Sequence, residues 1–260
     1  MRLLKLVGVA LVMLSPGVAA GYERDVHLSI TLWLAELAGF TAREAYEIAR
    51  NDEATDYDPA TEPGTEDVAN AFGDAAKQRR VDYHFVSLQR LEALRVAAKA
   101  CTRGRVTQAQ YRQLGHYLHA LEDRHSHEGY GSDAGHWRDY HAPDKAWSPA
   151  RDRNPRRTVS MIEAKFTALS ELRATCFEST RLAGDYPWAR RKVTEWAEEE
   201  VRNRHSRGRG DAKSPQRWKD LTEELYRTFY GDQWRRYMDD RATDFVSWLQ
   251  SQRGTGWRTP

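Results

Sequence analysis

The chain has 260 residues, with 40 Lys and Arg against 38 Asp and Glu. Hydrophobic residues make up 40 %, and there are only 17 Gly, 9 Pro and 2 Cys. These figures exclude a collagen-like, a low-complexity and a disulfide-dense chain, and leave ample length for a real core.

The first twenty residues read as a targeting segment. Arg2 and Lys5 flank the apolar run 6–14, the breaker pair Ser15-Pro16 comes next, and Val18-Ala19-Ala20 supplies small residues for cleavage. The run falls well short of the ~20 residues that span a bilayer. Residues 1–20 are therefore expected to be a cleaved secretory signal, with a periplasmic or extracellular destination and no transmembrane segment. Without Arg2 and Lys5 the chain is formally neutral, which gives no support to a globally basic nucleic-acid binder. The charge is uneven: residues 21–150 carry 15 basic and 21 acidic side chains, and the remainder is basic. An acidic half is what bound cations would balance.

Helical periodicity dominates the chain beyond residue 20. A helical stretch covers 26–37, and after the Gly39-Phe40 break Thr41-Ala42-Arg43-Glu44 forms a capping box that starts a helix toward Arg50. Residues 56–74 look irregular. Phe85, Leu88, Leu91, Leu94, Ala98 and Cys101 mark one apolar helix face, and Leu114, Leu118 and Leu121 mark the next. Residues 128–155 look irregular again. Helices are expected over 160–182, 188–202 and 215–249, with a basic loop at 203–214. No alternating Val/Ile/Thr runs stand out. The predicted fold is all-α, a multi-helix bundle with long loops. It forms one domain over 21–260, with a first part at about 22–147 and a helical C-terminal part at about 156–260. Cys101 and Cys176 are either one disulfide or two buried thiols.

Chemistry concentrates in the histidines. Of nine, six lie between His116 and His141, and only His205 falls beyond that stretch. His119, Asp123 and His127 are spaced four apart, with His116 one turn earlier, so in a helix they line one stripe. Neutral imidazoles with a carboxylate are ligands that Zn²⁺ takes.

The run His119-x-x-x-Asp123 with a downstream His127 resembles the central metal motif of the zinc-dependent phospholipase C and single-strand-specific nuclease superfamily. Other pieces are similar in order: Asp25-Val26-His27 near the start, Ile48-Ala49-Arg50-Asn51-Asp52 at a helix end, Asp82-Tyr83-His84-Phe85-Val86 after a long loop, and Gly135-His136 with His141-Ala142-Pro143-Asp144 beyond it. The resemblance covers roughly 22–147 and is nearest to bacterial members of unknown activity. It implies an all-α fold with two or three zinc ions in a cleft. It implies Asp52 as a bridging ligand that orients the attacking water. His27, His84, His119, Asp123, His127, His136 and Asp144 are the implied partners of Asp52. The mature N-terminus, at Gly21 or Tyr22, is implied as a chelate. Asp56 competes with Asp52, His116 and His141 stand close by, and Asp139 competes with Asp144, since Tyr140 occupies the position four after His136.

Activation of water by zinc suits phosphodiester cleavage. The expected function is an exported zinc-dependent phosphoester hydrolase, acting on a phospholipid headgroup ester or on single-stranded nucleic acid. The rival reading is a secreted helical binding protein with structural zinc or a degenerate site. Eight of nine Trp lie from Trp137 onward. With the nearby Arg they suit a peripheral lipid contact or base stacking, although core packing is the more ordinary use.

Overall fold

The computed structural model describes residues 25–63, 73–132 and 154–178. Within them the chain is mostly helical and forms no strand; Thr102 and Arg105 meet in an isolated bridge. The expected signal segment, the helices at 188–202 and 215–249 and the basic loop at 203–214 lie outside the described residues. Among the described helices none is long and apolar enough to cross a membrane.

The first element is a wide π-helical turn, Asp25–Ile30, that runs directly into α1, Thr31–Leu37. Gly39, at φ 93°, turns the chain out of α1 in the left-handed region that glycine enters without strain. The predicted capping box then starts α2, Ala42–Glu53. Glu44 N–H donates to the Thr41 hydroxyl, and Thr41 N–H donates to the Glu44 carboxylate at 2.7 Å. A 3₁₀ turn, Ala54–Asp56, extends α2. Helix α3, Asp74–Arg79, lies just past the expected irregular region and continues into a second π-helical turn, Arg80–His84. Ser87 caps α4, Leu88–Lys99, and a Thr107/Gln110 capping box starts α5, Gln108–Ser126. Helix α6, Asn154–Cys176, starts some residues earlier than its periodicity suggests and also ends earlier.

Helix α5 is the hub. It packs against α2, α4 and α6, and α1 fills the angle between α2 and α6. The core runs through Ile30, Leu34, Phe40, Ile48, Leu114, Leu118, Met161 and Leu169, all buried. Burying side chains of this size stabilises the fold by about 1.5–3 kcal/mol each before entropy is counted. Leu88 departs from its predicted face: as the first residue of α4 it is 68 % exposed, while Leu94 and Ala98 carry the contact. Cys101 and Cys176 form a disulfide with Cα atoms 5.5 Å apart, fastening the end of α6 to the α4–α5 connection.

Gly115 sets the distance between α5 and α2. A Cβ there would stand 2.3 Å from the Asn51 carbonyl carbon and 2.7 Å from the Asp52 nitrogen, so only glycine admits the approach. One turn later the same face of α5 carries His119.

Candidate metal centre

Five short segments deliver a cluster of imidazoles and carboxylates to one buried point. The two π-helical turns bring His27 and His84, the end of α2 brings Asp52, the 3₁₀ turn brings Asp56, and α5 brings His119, Glu122 and Asp123. Non-α turns of this kind are frequent at functional sites, because they re-aim a side chain that a regular helix would direct elsewhere. His27, Asp52, His84, His119, Glu122 and Asp123 are all fully buried. The Asp56 side chain, 13 % exposed, is where the cluster meets solvent.

Each imidazole is oriented from behind. His119 Nδ1 stands 3.1 Å from the Asp52 carbonyl oxygen, and His84 Nε2 stands 2.9 Å from the Thr61 carbonyl oxygen. A carbonyl only accepts, so both of these nitrogens carry the hydrogen. His27 Nδ1 faces the Glu122 carboxylate at 2.6 Å. The opposite nitrogens of all three rings turn inward. His119 Nε2 and His84 Nδ1 are 3.1 Å apart, and a neutral ring has only a lone pair to present there. Such a contact needs a cation between the rings, either a proton or a metal ion.

Two carboxylates complete the inner ring of atoms. Asp123 Oδ2 lies 2.9 Å from His84 Nδ1 and 3.2 Å from His119 Nε2, and its Oδ1 lies 3.4 Å from His27 Nε2. Asp56 Oδ1 lies 3.5 Å from His119 Nε2 and 3.7 Å from His84 Nδ1, and its Oδ2 lies 3.9 Å from His27 Nε2. Ligands about 2.0–2.2 Å from one tetrahedral zinc ion stand about 3.3–3.6 Å from each other, so several of these spacings are close to those of a metal polyhedron. His27 Nε2 and Asp56 Oδ1 are buried with no hydrogen-bond partner, as is Asp52 Oδ1. Buried polar atoms without a partner are costly and need an explanation. A divalent cation supplies one for His27 Nε2 and Asp56 Oδ1. Three groups among the described residues could hold a metal ion: His27, Asp56 and His119; His84, His119 and Asp123; His27, Asp52 and Glu122.

The electrostatics run the same way. Burial and the facing His27 push the His119 imidazole down, but Asp123 and Asp56 outweigh them and raise it to about 10. His27 is raised despite its burial, by Glu122, Asp123 and Asp52. Burial pushes Asp52 and Asp123 up, yet their cationic neighbours win: Lys165 and the imidazoles hold Asp52 low, and the imidazoles hold Asp123 low. The raised imidazoles mark the negative charge around them, and the lowered carboxylates stay ionised.

The expected ligands separate into three positions. His27, His84, His119, Asp123 and Asp56 share the inner ring. Asp52, expected to bridge metals, lies on the Nδ1 side of two rings and belongs with His27 and Glu122 to a group that could hold a metal ion: its Oδ1 is 3.4 Å from His27 Nδ1 and 3.5 Å from His119 Nδ1, and its Oδ2 accepts from Lys165 at 2.7 Å. One helical turn separates Asp52 from Asp56, and the 3₁₀ turn swings the later residue to the inner side. His127 and His116 stand beside the cluster and belong to none of the three groups. Helix α5 ends at Ser126, which takes His127 off the stripe; its ring stacks on Phe85 at 4.1 Å and its Nδ1 reaches the His84 carbonyl oxygen at 3.0 Å. His116 packs edge-on against Tyr83, and burial and the nearby His119 hold its imidazole down at about 4. Gly21, Tyr22, His136, Asp139, His141 and Asp144 lie outside the described residues.

Sequence reasoning passes over three members of the site: Glu122, Lys165 and Thr31. Lys165 is fully buried on α6, and its ammonium donates to Asp52, Glu122 and Thr31. A signal for it exists, because Lys165 falls in register with Met161, Ile162, Leu169 and Leu172, all buried on one face. A lysine on an apolar stripe asks for a buried anion.

The chain matches no protein-family model, no curated protein and no solved structure. Its function is therefore read from the geometry of these residues.

Proposed function

We propose that the chain is an exported, zinc-dependent hydrolase of phosphoesters, of the phospholipase C and nuclease type. The observation that carries this reading is the inward convergence of three tautomer-fixed imidazoles and two carboxylates on one point. Three nitrogens with two oxygens suit Zn²⁺, and imidazoles backed by a carbonyl or a carboxylate are the usual form of zinc-ligating histidine. Bound zinc polarises a phosphoryl oxygen and makes hydroxide available near neutral pH.

The residues of the chain divide the remaining work. His27, His84 and His119 hold the ion, with Glu122 and the carbonyls of Asp52 and Thr61 fixing their rings. Asp123 and Asp56 neutralise its charge. Asp56 reaches solvent, so water and the phosphoester arrive on its side. The Cys101–Cys176 disulfide suits an oxidising compartment outside the cytosol. The substrate is a phospholipid headgroup ester or a single-stranded nucleic acid, and the neutral charge of the chain after residue 20 favours the first.

Full burial of four of the five inner residues favours a second reading, a helical binding protein with a closed structural zinc. One set of experiments separates the two. Chelator-treated protein is reloaded with zinc and assayed on a generic phosphodiester. Zinc-dependent turnover that collapses in His119→Ala supports the hydrolase. Tight zinc without turnover supports the binding protein. Protein that takes up no zinc overturns both.

A further inference from the structure

We infer that the Lys165 ammonium takes the place of a metal ion among His27, Asp52 and Glu122, so that group holds none. This deepens the proposed zinc reading and rests on it. Two of the three metal-capable groups share His119, whose only free nitrogen is Nε2. One lone pair binds one ion, so His119 serves one ion only; Asp123 and Asp56 each turn one oxygen to His84 and His119 and the other to His27.

The third group, His27, Asp52 and Glu122, would have to take a second ion on the other side of the His27 ring. Apart from Asp52 Oδ1, its donor atoms are already engaged. Glu122 Oε2 faces His27 Nδ1 at 2.6 Å, and Glu122 Oε1 accepts from Lys165. Asp52 Oδ2 accepts from Lys165 at 2.7 Å and from the Thr31 hydroxyl at 2.7 Å. His27 cannot serve both sides as a neutral ring, because Nε2 is its ligand atom for the inner site and Nδ1 then carries the hydrogen. An ammonium has three N–H donors, and those of Lys165 meet Asp52, Glu122 and Thr31. The lysine is thus fully satisfied where a metal would otherwise sit, and it offsets one of the two carboxylates beside it. It acts as a positioning residue: it holds Glu122, which holds His27.

The full chain loaded with zinc alone is the test. Anomalous diffraction at the zinc edge should show zinc inside the His27, His84 and His119 ring and none between Asp52 and Glu122. In Lys165→Gln the two carboxylates lose their cation, and a new peak should appear between them, with one more zinc per chain by native mass spectrometry. A peak between Asp52 and Glu122 in the wild type overturns the inference, and so does a folded Lys165→Gln protein that gains no zinc. Should Lys165→Gln fail to fold, the wild-type map alone decides. No zinc at the imidazole ring in the wild type overturns the proposed function instead.

Discussion

The rings of His27 and His119 stack with centroids 4.1 Å apart and planes 24° apart, although their residues are 92 positions apart in the chain. Two imidazoles face to face, both with inward nitrogens, gain little from stacking and repel if both are protonated. Carboxylates overcome that repulsion when no metal is bound. The consequence is a defined pH response. In metal-free protein His27 is raised and His119 is raised to about 10 from 6.5, so the stability they contribute is fully present below pH 6.5 and is lost as pH climbs toward 10. Asp52 and Asp123 are held below their usual 3.8, so their share is present above that value and is lost in acid. The melting temperature of chelated protein should therefore fall between about pH 6.5 and 9. The increment from added zinc should grow over the same range, because the metal needs unprotonated ligands. A flat or rising profile for the chelated protein is the contrary result.

Glu122→Gln keeps the shape of the side chain and removes the charge behind His27. Zinc affinity should drop by about 10- to 100-fold, the usual effect of changing a residue that orients a ligand. Competition with a chromogenic chelator measures it. Unchanged affinity would mean that the 2.6 Å contact does not orient the ring.

Asp56→Asn and Asp52→Asn separate the two carboxylates that one helical turn places close together. Asp56→Asn removes an inner ligand and should weaken zinc more than Asp52→Asn does. Asp52→Asn leaves Lys165 with Glu122 as its carboxylate partner and should lower the melting temperature more, since losing one partner of a buried ion pair costs up to about 3–5 kcal/mol. Calorimetry and zinc titration on both variants decide it, and the reverse ranking would restore Asp52 to the metal.

Gly115→Ala tests the approach of α5 to α2. A methyl group 2.3 Å from the Asn51 backbone forces the helices apart. The expected cost is about 1–3 kcal/mol or more, with weaker zinc binding because His119 loses the Asp52 carbonyl. A variant as stable as the wild type would show that the helices part freely.

The disulfide closes a separation of 75 residues, for which a chain-entropy treatment gives about 4 kcal/mol. Cys101→Ser with Cys176→Ser should unfold at markedly lower denaturant. Coincident unfolding curves for the two proteins would mean that packing around Phe40 and Phe177 alone holds the end of α6.

Much of this centre is legible in the sequence. The capping box at Thr41 and the apolar stripe of α5 are local signals, set by side chains a few residues apart, and both form where the pattern puts them. The spacing of His119 and Asp123 places two inner residues for the same reason. Choosing between Asp52 and Asp56 is beyond local pattern, since a single 3₁₀ turn decides which faces inward. The π-helical turns at His27 and His84 leave no periodic trace over five or six residues. His127, four residues past Asp123, caps helix α5 just beyond its last residue, Ser126. Lys165 is visible as a misfit on an apolar face, but it lies beyond residue 147, outside the stretch that the metal motifs cover.

Lys165 comes from α6, on the far side of residues 133–153 from every imidazole and carboxylate of the centre. A growing chain made from its N-terminus therefore exposes His27, Asp52, His84, His119 and Glu122 before their own ammonium has been synthesised. Among the described helices, the last to be made is the one that balances the charge of the cluster.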